Sequence, residues 1–217
     1  MSHNFEKPNR LISVMVLLFV LLFAGIIYAL YAPTLFQTAP QTSEQSGEGE
    51  GEGQSATIEN ADMPILNMEL ESGTVKIMLR PDLAPNHVAR LIELSEAGFY
   101  DGIVFHRVIN GFMAQTGDPT GTGLGGSDLP DLAAEFNDRS FERATLGMAR
   151  SAEEDSANSQ FFIVFDDASF LDGQYTLFGK VIEGMELIDD LRKGNPQDNG
   201  TVTNPDHIVS MRLENNQ

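Results

Sequence analysis

Phe105 to Gly123 reads FHRVINGFMAQTGDPTGTG, and the fold turns on how this stretch is read. Val108, Ile109, Phe112 and Met113 are apolar types that suit strands. Gly111 interrupts them and predicts a bulge or a tight bend. Arg107 and Gln115 are polar groups set among these apolar neighbours. A buried arginine is costly unless something pairs with it. Two hydrogen-bonding side chains among Phe and Met describe an apolar pocket with a few placed polar groups, the usual lining of a binding site. The residues alone also allow a plainer reading, with Arg107 a solvated strand residue and Phe112 and Met113 core. His106 adjoins Arg107, and strand alternation sends it to the opposite face as a structural residue.

Upstream, Ile65 to Leu70 and Thr74 to Leu79 are strand candidates joined by Glu71-Ser72-Gly73, a hairpin signal. Asn86 is expected to cap a helix from about His87 to Ala97, with His87 at the surface in its first turn. Val88, Leu91, Ile92 and Leu94 give that helix its apolar face, and Gly98 ends it. Phe99 to Gly102 forms a turn into the central motif. Downstream comes a polar, Gly-rich loop from Asp118 to Asp131, then an irregular stretch from Phe136 to Arg143. Thr145 to Ala149, Gln160 to Phe165, Thr176 to Ile182 and Ile208 to Leu213 read as strands, with Arg150 to Ser159 a loop. Met185 to Arg192 reads as a second helix, closed by Gly194. Many short strands with two isolated helices predict a mainly β domain, a closed antiparallel barrel that removes exposed edges.

The 217 residues, 41% of them hydrophobic, suffice for one domain plus appendages. There is no cysteine, which excludes disulfides, thiol catalysis and cysteine metal sites and fits an oxidising compartment. His3, His87, His106 and His207 lack metal-ligand spacing, so no metal site is expected. A formal net charge of -19 argues against binding of nucleic acid or anionic headgroups by the folded part.

Residues 11–32, LISVMVLLFVLLFAGIIYALYA, carry no charge. At about 1.5 Å per residue a helix of this length reaches roughly 33 Å, enough to cross a bilayer core. Lys7 and Arg10 precede it, Tyr28 and Tyr31 lie at its far end, and the next basic residue is Lys76. The positive-inside rule puts residues 1–10 in the cytoplasm and the remainder outside. A cleaved signal peptide is the competing reading. The apolar run is longer than a signal core, and YALYAP is a poor cleavage site. An uncleaved, single-pass transmembrane signal anchor in the cell membrane is therefore expected. Residues 33–55, with GEGEGEG from Gly47 to Gly53, have nothing to bury and read as a disordered, flexible acidic linker. It is either a tether or a mere spacer. The folded domain is expected over 56–217.

The central stretch resembles the signature of the cyclophilin-type peptidyl-prolyl isomerases, FHR followed by GFM-x-QGGD, with Asn110 where Pro is common and Thr116 where Gly is common. GFYDG (Gly98 to Gly102), LGMARSAEEDSANSQFFIVF (Leu146 to Phe165) and FLDGQYTLFGKV (Phe170 to Val181) resemble further blocks of that family. The likeness spans about Ala61 to Leu213. It implies an eight-stranded barrel with a helix over each end and no cofactor. It implies Arg107 as the catalytic residue. Phe112, Met113, Phe162 and Leu171 would form the floor and walls of a proline pocket, with Phe170 and Tyr175 at its rim. Gln115 and Gln160 would be hydrogen-bonding groups beside it. Ala149, Arg150 and Ser151 would be the edge that holds the substrate backbone. Arg150 stands where Asn is common, and Glu153, Glu154 and Asp155 stand in a loop that is usually rich in Gly and Asn. Phe170 replaces the Trp of many eukaryotic members, which implies weaker cyclosporin binding.

Isomerisation of an X-Pro bond breaks no covalent bond, so it needs no nucleophile. The barrier of about 18–20 kcal/mol comes from amide resonance. In the twisted transition state the prolyl nitrogen loses conjugation and becomes basic. A fixed cationic donor then favours that state over either planar one. Three readings follow. One is a monomeric isomerase acting on proline-containing polypeptide clients outside the cytoplasm. The second is a non-catalytic proline-peptide-binding or chaperone module on the same scaffold. The third is a structural membrane protein whose domain is an assembly surface.

Overall fold

The computed structural model describes residues 63–214. The expected membrane span 11–32 and linker 33–55 lie outside the described residues. Among the described residues no helix is long and apolar enough to cross a membrane.

Strands β1 (Ile65–Leu70) and β2 (Gly73–Leu79) form the expected hairpin, with Leu70 opposite Gly73 across Glu71-Ser72. Leu66, Met68, Val75, Ile77 and Leu79 alternate into the core and are fully buried. Helix α1 (Pro85–Glu96) starts two residues earlier than expected. Pro85 sits in its first turn, where its fixed φ suits the helix and its missing N–H costs nothing. Asn86 is therefore inside the helix and is not its cap. Glu135, from a distant loop, takes that role. Its carboxylate accepts from the backbone N–H of Asn86 at 3.1 Å and of His87 at 3.0 Å, satisfying donors that every helix start leaves open. His87 is fully buried, not at the surface, and its Nδ1 lies 2.6 Å from Glu135. At the other end Gly98 has φ 73, as its expected terminating role requires. Gly98 N–H donates to Ser95 O, and Phe99 N–H reaches back to Leu94 O.

The remaining elements are β3 (Arg107–Ile109), β4 (Met113–Thr116), β5 (Thr145–Met148), β6 (Phe161–Val164), β7 (Leu177–Glu183), α2 (Met185–Asp189) and β8 (Ile208–Leu213). One antiparallel sheet runs in the order β3-β4-β6-β5-β7-β2-β1-β8. Eight strands and two helices agree with expectation, but full closure does not. The end strands β3 and β8 share no ladder. The segments just outside them meet through an isolated Val104–His207 bridge and through the bonds Phe105 N–H to Asp206 O and Ile208 N–H to Ile103 O. Gly102 (φ 79), Asn204 (φ 53) and Pro205 stand here, and none can continue a regular ladder. The result is a curled, incompletely closed barrel.

Helix α1 packs on β8 and α2 on β2. Helix α2 stops at Asp189 rather than Arg192, because Asp206 captures the Arg192 N–H at 2.7 Å. Gly194 does not end it. Gly194 N–H instead bonds Val108 O on β3 at 2.8 Å. The main core, with Leu66, Leu91, Tyr100, Phe105, Phe161 and Phe178, fills the curl of the sheet. A second apolar cluster, with Met113, Phe141, Phe162, Val164, Leu171 and Leu177, is separate from it.

A candidate active site on the outer face of the sheet

The central motif folds as a tight hairpin. Phe112 N–H closes a turn onto Ile109 O at 3.0 Å, and Gly111 stands at its third position with φ 72. This turn fixes the pairing of β3 with β4, which sets Arg107 opposite Gln115. Gln115 in turn lies opposite Phe162 on β6, and Phe162 opposite Gly147 on β5. Residues directly opposite one another share a face, so this row crosses four strands on one side of the sheet. The neighbouring row, Val108, Ala114, Ile163 and Leu146, points the other way into the main core. Arg107 and Gln115, the polar residues that looked out of place within an apolar motif, thus occupy the outer face beside Phe162. His106 is buried, as strand alternation required, with both ring nitrogens lacking a partner among the described residues.

A cavity of about 380 Å³ opens on that face. It gathers Arg107, Phe112, Met113, Gln115, Ala149, Arg150, Phe162, Phe170, Leu171 and Tyr175 of the expected site, and adds Gln174. Ser151 and Gln160 line an adjoining cavity of about 480 Å³, with Gln115, Ala149 and Arg150 shared between the two. Met113, Phe162 and Leu171 are buried and make the floor. Tyr175 meets Phe162 edge-on with ring centres 5.6 Å apart, and Phe141 stacks beneath Phe162 at 5.7 Å. Phe170 is 62% exposed and leans on Phe112 at 5.3 Å, forming the rim.

The polar groups form one chain. Arg107 Nη1 donates to Gln115 Oε1 at 3.1 Å. Gln115 Nε2 donates to Gln160 Oε1 at 2.9 Å, and Gln160 Nε2 donates to Gly123 O and Gly125 O at 3.1 and 2.8 Å. The amide orientations are thereby all determined. On its other edge Arg107 Nε donates to Asn199 O at 2.9 Å and Nη2 to Asn199 Oδ1 at 3.1 Å. Burial draws the Arg107 guanidinium below its ordinary range, against a smaller opposing effect of Tyr175, and it remains a cation at neutral pH.

The backbone edge at 149–151 is more occupied than expected. Ala149 N–H bonds Gln160 O, and Ser151 N–H bonds Ser156 Oγ within its own loop. Arg150 stacks on the Tyr175 ring at 4.9 Å, while its Nε and Nη2 donate to Gln174 O. It is a wall of the cavity, tied to the Phe170–Tyr175 segment.

Three contributors were not foreseen from sequence. Gln174 enters because its backbone carbonyl anchors Arg150. Asn199 is distant in sequence from Arg107 and sits in a loop with no recognisable motif. Gly147 had a signal, a glycine within an apolar strand, which marks close approach by another group.

An outer-face cavity with an aromatic floor, one cationic donor at its mouth and flanking amides is a site for an extended polypeptide with one buried side chain or ring. The comparisons narrow this class. The family model for cyclophilin type peptidyl-prolyl cis-trans isomerase/CLD matches residues 65–213. A Brucella suis biovar 1 (strain 1330) protein named "Probable peptidyl-prolyl cis-trans isomerase" is 48% identical over 172 residues, 74% of this chain and 87% of that protein. Peptidyl-prolyl cis-trans isomerase B of Bacillus subtilis (strain 168) is 42% identical over 128 residues, 58% of this chain and 89% of that one. A Cryptosporidium parvum cyclophilin-type isomerase, solved in the presence of the dipeptide Ala-Pro, superposes with a TM-score of 0.64 at 27% identity, covering 70% of this chain and 99% of its own. The chain belongs to the cyclophilin-type peptidyl-prolyl cis-trans isomerase family, and that isomerisation is its enzymatic class.

Proposed function

We propose that the protein accelerates cis–trans isomerisation of X-Pro bonds in polypeptide clients outside the cytoplasm, as a monomer held at the cell membrane by residues 11–32. The proline ring enters the cavity floored by Met113, Phe162 and Leu171, and Arg107 hydrogen-bonds to the prolyl nitrogen as the amide twists. The observation that carries this reading is the placement of Arg107. Its guanidinium stands at the mouth of the apolar cavity, and all its oxygen acceptors are uncharged amides. A cation so placed keeps its charge for the ligand and offers little to a planar amide, whose nitrogen is not basic. It therefore stabilises the twisted state selectively.

The orientation follows from Lys7 and Arg10 before the apolar run. Two measurements test the proposal. The full chain in detergent, carrying Arg107→Ala, should lose most of its isomerisation of an X-Pro peptide. Protease added to intact cells or spheroplasts should remove the folded domain. Binding of proline peptides with no turnover by the parent chain would leave a binding module instead. Protection of the domain from protease would overturn the outward orientation.

A further inference from the structure

Four arginines each place two guanidinium nitrogens on two oxygens of one neighbouring residue. Arg80, Arg143 and Arg212 each hold an aspartate, Asp82, Asp189 and Asp101 respectively, by paired N–H···O bonds. Arg107 is the exception in charge. In a chain of net charge -19, none of the ion pairs among the described residues includes Arg107. Its fork closes on Asn199, with Nε donating to the main-chain oxygen at 2.9 Å and Nη2 to Oδ1 at 3.1 Å. Asn199 offers the two-oxygen geometry of a carboxylate without its charge.

The fold takes trouble to bring Asn199 there. Val108 N–H bonds Gly200 O at 2.9 Å, Gly194 N–H bonds Val108 O at 2.8 Å, and Thr201 bridges Arg107, so the segment is clamped along β3. Asn199 and Gly200 are consecutive left-handed residues, φ 49 and 81, a conformation that Asn and Gly tolerate. A Cβ at Gly200 would run into Ile109. Among the described residues the exposed Asn199 side chain makes no other hydrogen bond.

We propose that Asn199 is a positioning residue for catalysis. Its two neutral oxygens fix the plane of the Arg107 guanidinium, leave its charge intact, and direct the remaining Nη hydrogens into the cavity. This rests on the reading of Arg107 as the catalytic donor.

The test compares variants of the full chain in detergent, using coupled isomerisation of an X-Pro peptide and calorimetric titration with a ground-state proline peptide. Asn199→Gly keeps the left-handed backbone and the main-chain oxygen and removes the carboxamide, and with it the Oδ1 bond to Arg107. It should lower kcat/KM about tenfold through kcat, the loss expected for one charge-assisted hydrogen bond. Peptide affinity should change less than twofold. Asn199→Asp keeps the shape and adds a charge, and it should be at least as poor because it neutralises the guanidinium. A merely structural role would tolerate Asp. In an Arg107→Lys background, which has no fork, Asn199→Gly should cost less than a further twofold. Parent-like kcat/KM in Asn199→Asp, or the same fold loss from Asn199→Gly in both backgrounds, would overturn the positioning role. Full activity in Arg107→Ala would overturn the arginine reading and this role with it. Loss in Arg107→Ala beside parent-like Asn199 variants would overturn the positioning role alone. If Asn199→Gly unfolds below assay temperature, Asn199→Asp carries the comparison.

Discussion

Gly147 on β5 pairs directly with Phe162 on β6, and the Phe162 ring fills the space where a side chain at 147 would stand. A Cβ there would overlap ring atoms of both Phe162 and Phe141. The missing side chain thus belongs to the pocket as much as the ring does.

Gly147→Ala should accordingly destabilise the fold by about 1–3 kcal/mol, the usual range for overpacking a filled interior. It should also weaken proline-peptide binding, because the Phe162 ring must move towards the cavity it floors. Denaturant unfolding and calorimetric titration read the two effects. A variant with parent-like stability and affinity would show that the ring has room to shift.

The His87–Glu135 pair should govern stability in mild acid. Burial lowers the His87 pKa below 6.5, and the opposing pull of Glu135 does not restore it. The imidazole is therefore neutral and donates through Nδ1, while the buried Nε2 has no partner among the described residues. The unfolded chain takes up a proton near pH 6.5 that the folded chain resists. Stability is thus full above pH 6.5 and declines as pH falls through the lower folded pKa. His87→Asn keeps a donor towards Glu135 but cannot titrate. Between pH 7 and 5 its midpoint should fall less than the parent's, which thermal unfolding across that range checks.

These two pairs show what was legible in the sequence. Strand and helix existence followed from alternation and from glycine punctuation such as Gly98 and Gly111, which are local properties. Arg107 and Gln115 could be singled out because polar types stood in an apolar motif, whereas Phe162 came only through the family resemblance. Their convergence on one outer row depends on which strands pair, which no local pattern encodes. The same reason hid Glu135. Asn86 has the right chemistry for a cap, but Pro85 moved the helix start and a carboxylate 49 residues on supplied the acceptors. Barrel closure failed as an inference because edge avoidance is a tendency, and two bridged loops satisfied it without a ladder.

Asp118 should set the strong-acid limit of the site. Burial alone would raise its carboxyl, but backbone N–H groups of Thr120, Gly125 and Gly123 and the Thr120 hydroxyl outweigh that and hold it at about 2, below the ordinary 3.8. The group stabilises the fold above pH 3.8, and its contribution is lost as pH falls through 2. Asp118→Asn would turn an amide donor towards those N–H groups at any pH. The loop it organises carries Gly123 O and Gly125 O, the last acceptors of the chain from Arg107. We expect Asp118→Asn to lower both stability and kcat/KM at pH 7. Unchanged kcat/KM would show that the loop does not support the amide chain.

The pocket and the arginine should separate in kinetics. Arg107 touches a group that changes on twisting, whereas Phe162 touches the ring in every state. Arg107→Ala should lower kcat/KM by on the order of 10²–10³, as for loss of one pre-placed donor, and leave ground-state affinity nearly unchanged. Arg107→Lys should be nearly as poor, because a single ammonium cannot engage Gln115 and Asn199 while also reaching the ligand. Phe162→Leu keeps an apolar floor and should do the reverse. It should weaken ground-state and transition-state binding together, raising KM with little change in kcat. Phe162→Ala would go further but empties a buried site, at about 3–5 kcal/mol of stability, so Leu is the cleaner probe. A coupled isomerisation assay beside peptide titration gives both constants for each variant. If Arg107→Lys and Phe162→Leu shift the same constant, the ring pocket and the cation do not have separate roles, and the twisted-amide mechanism loses its basis.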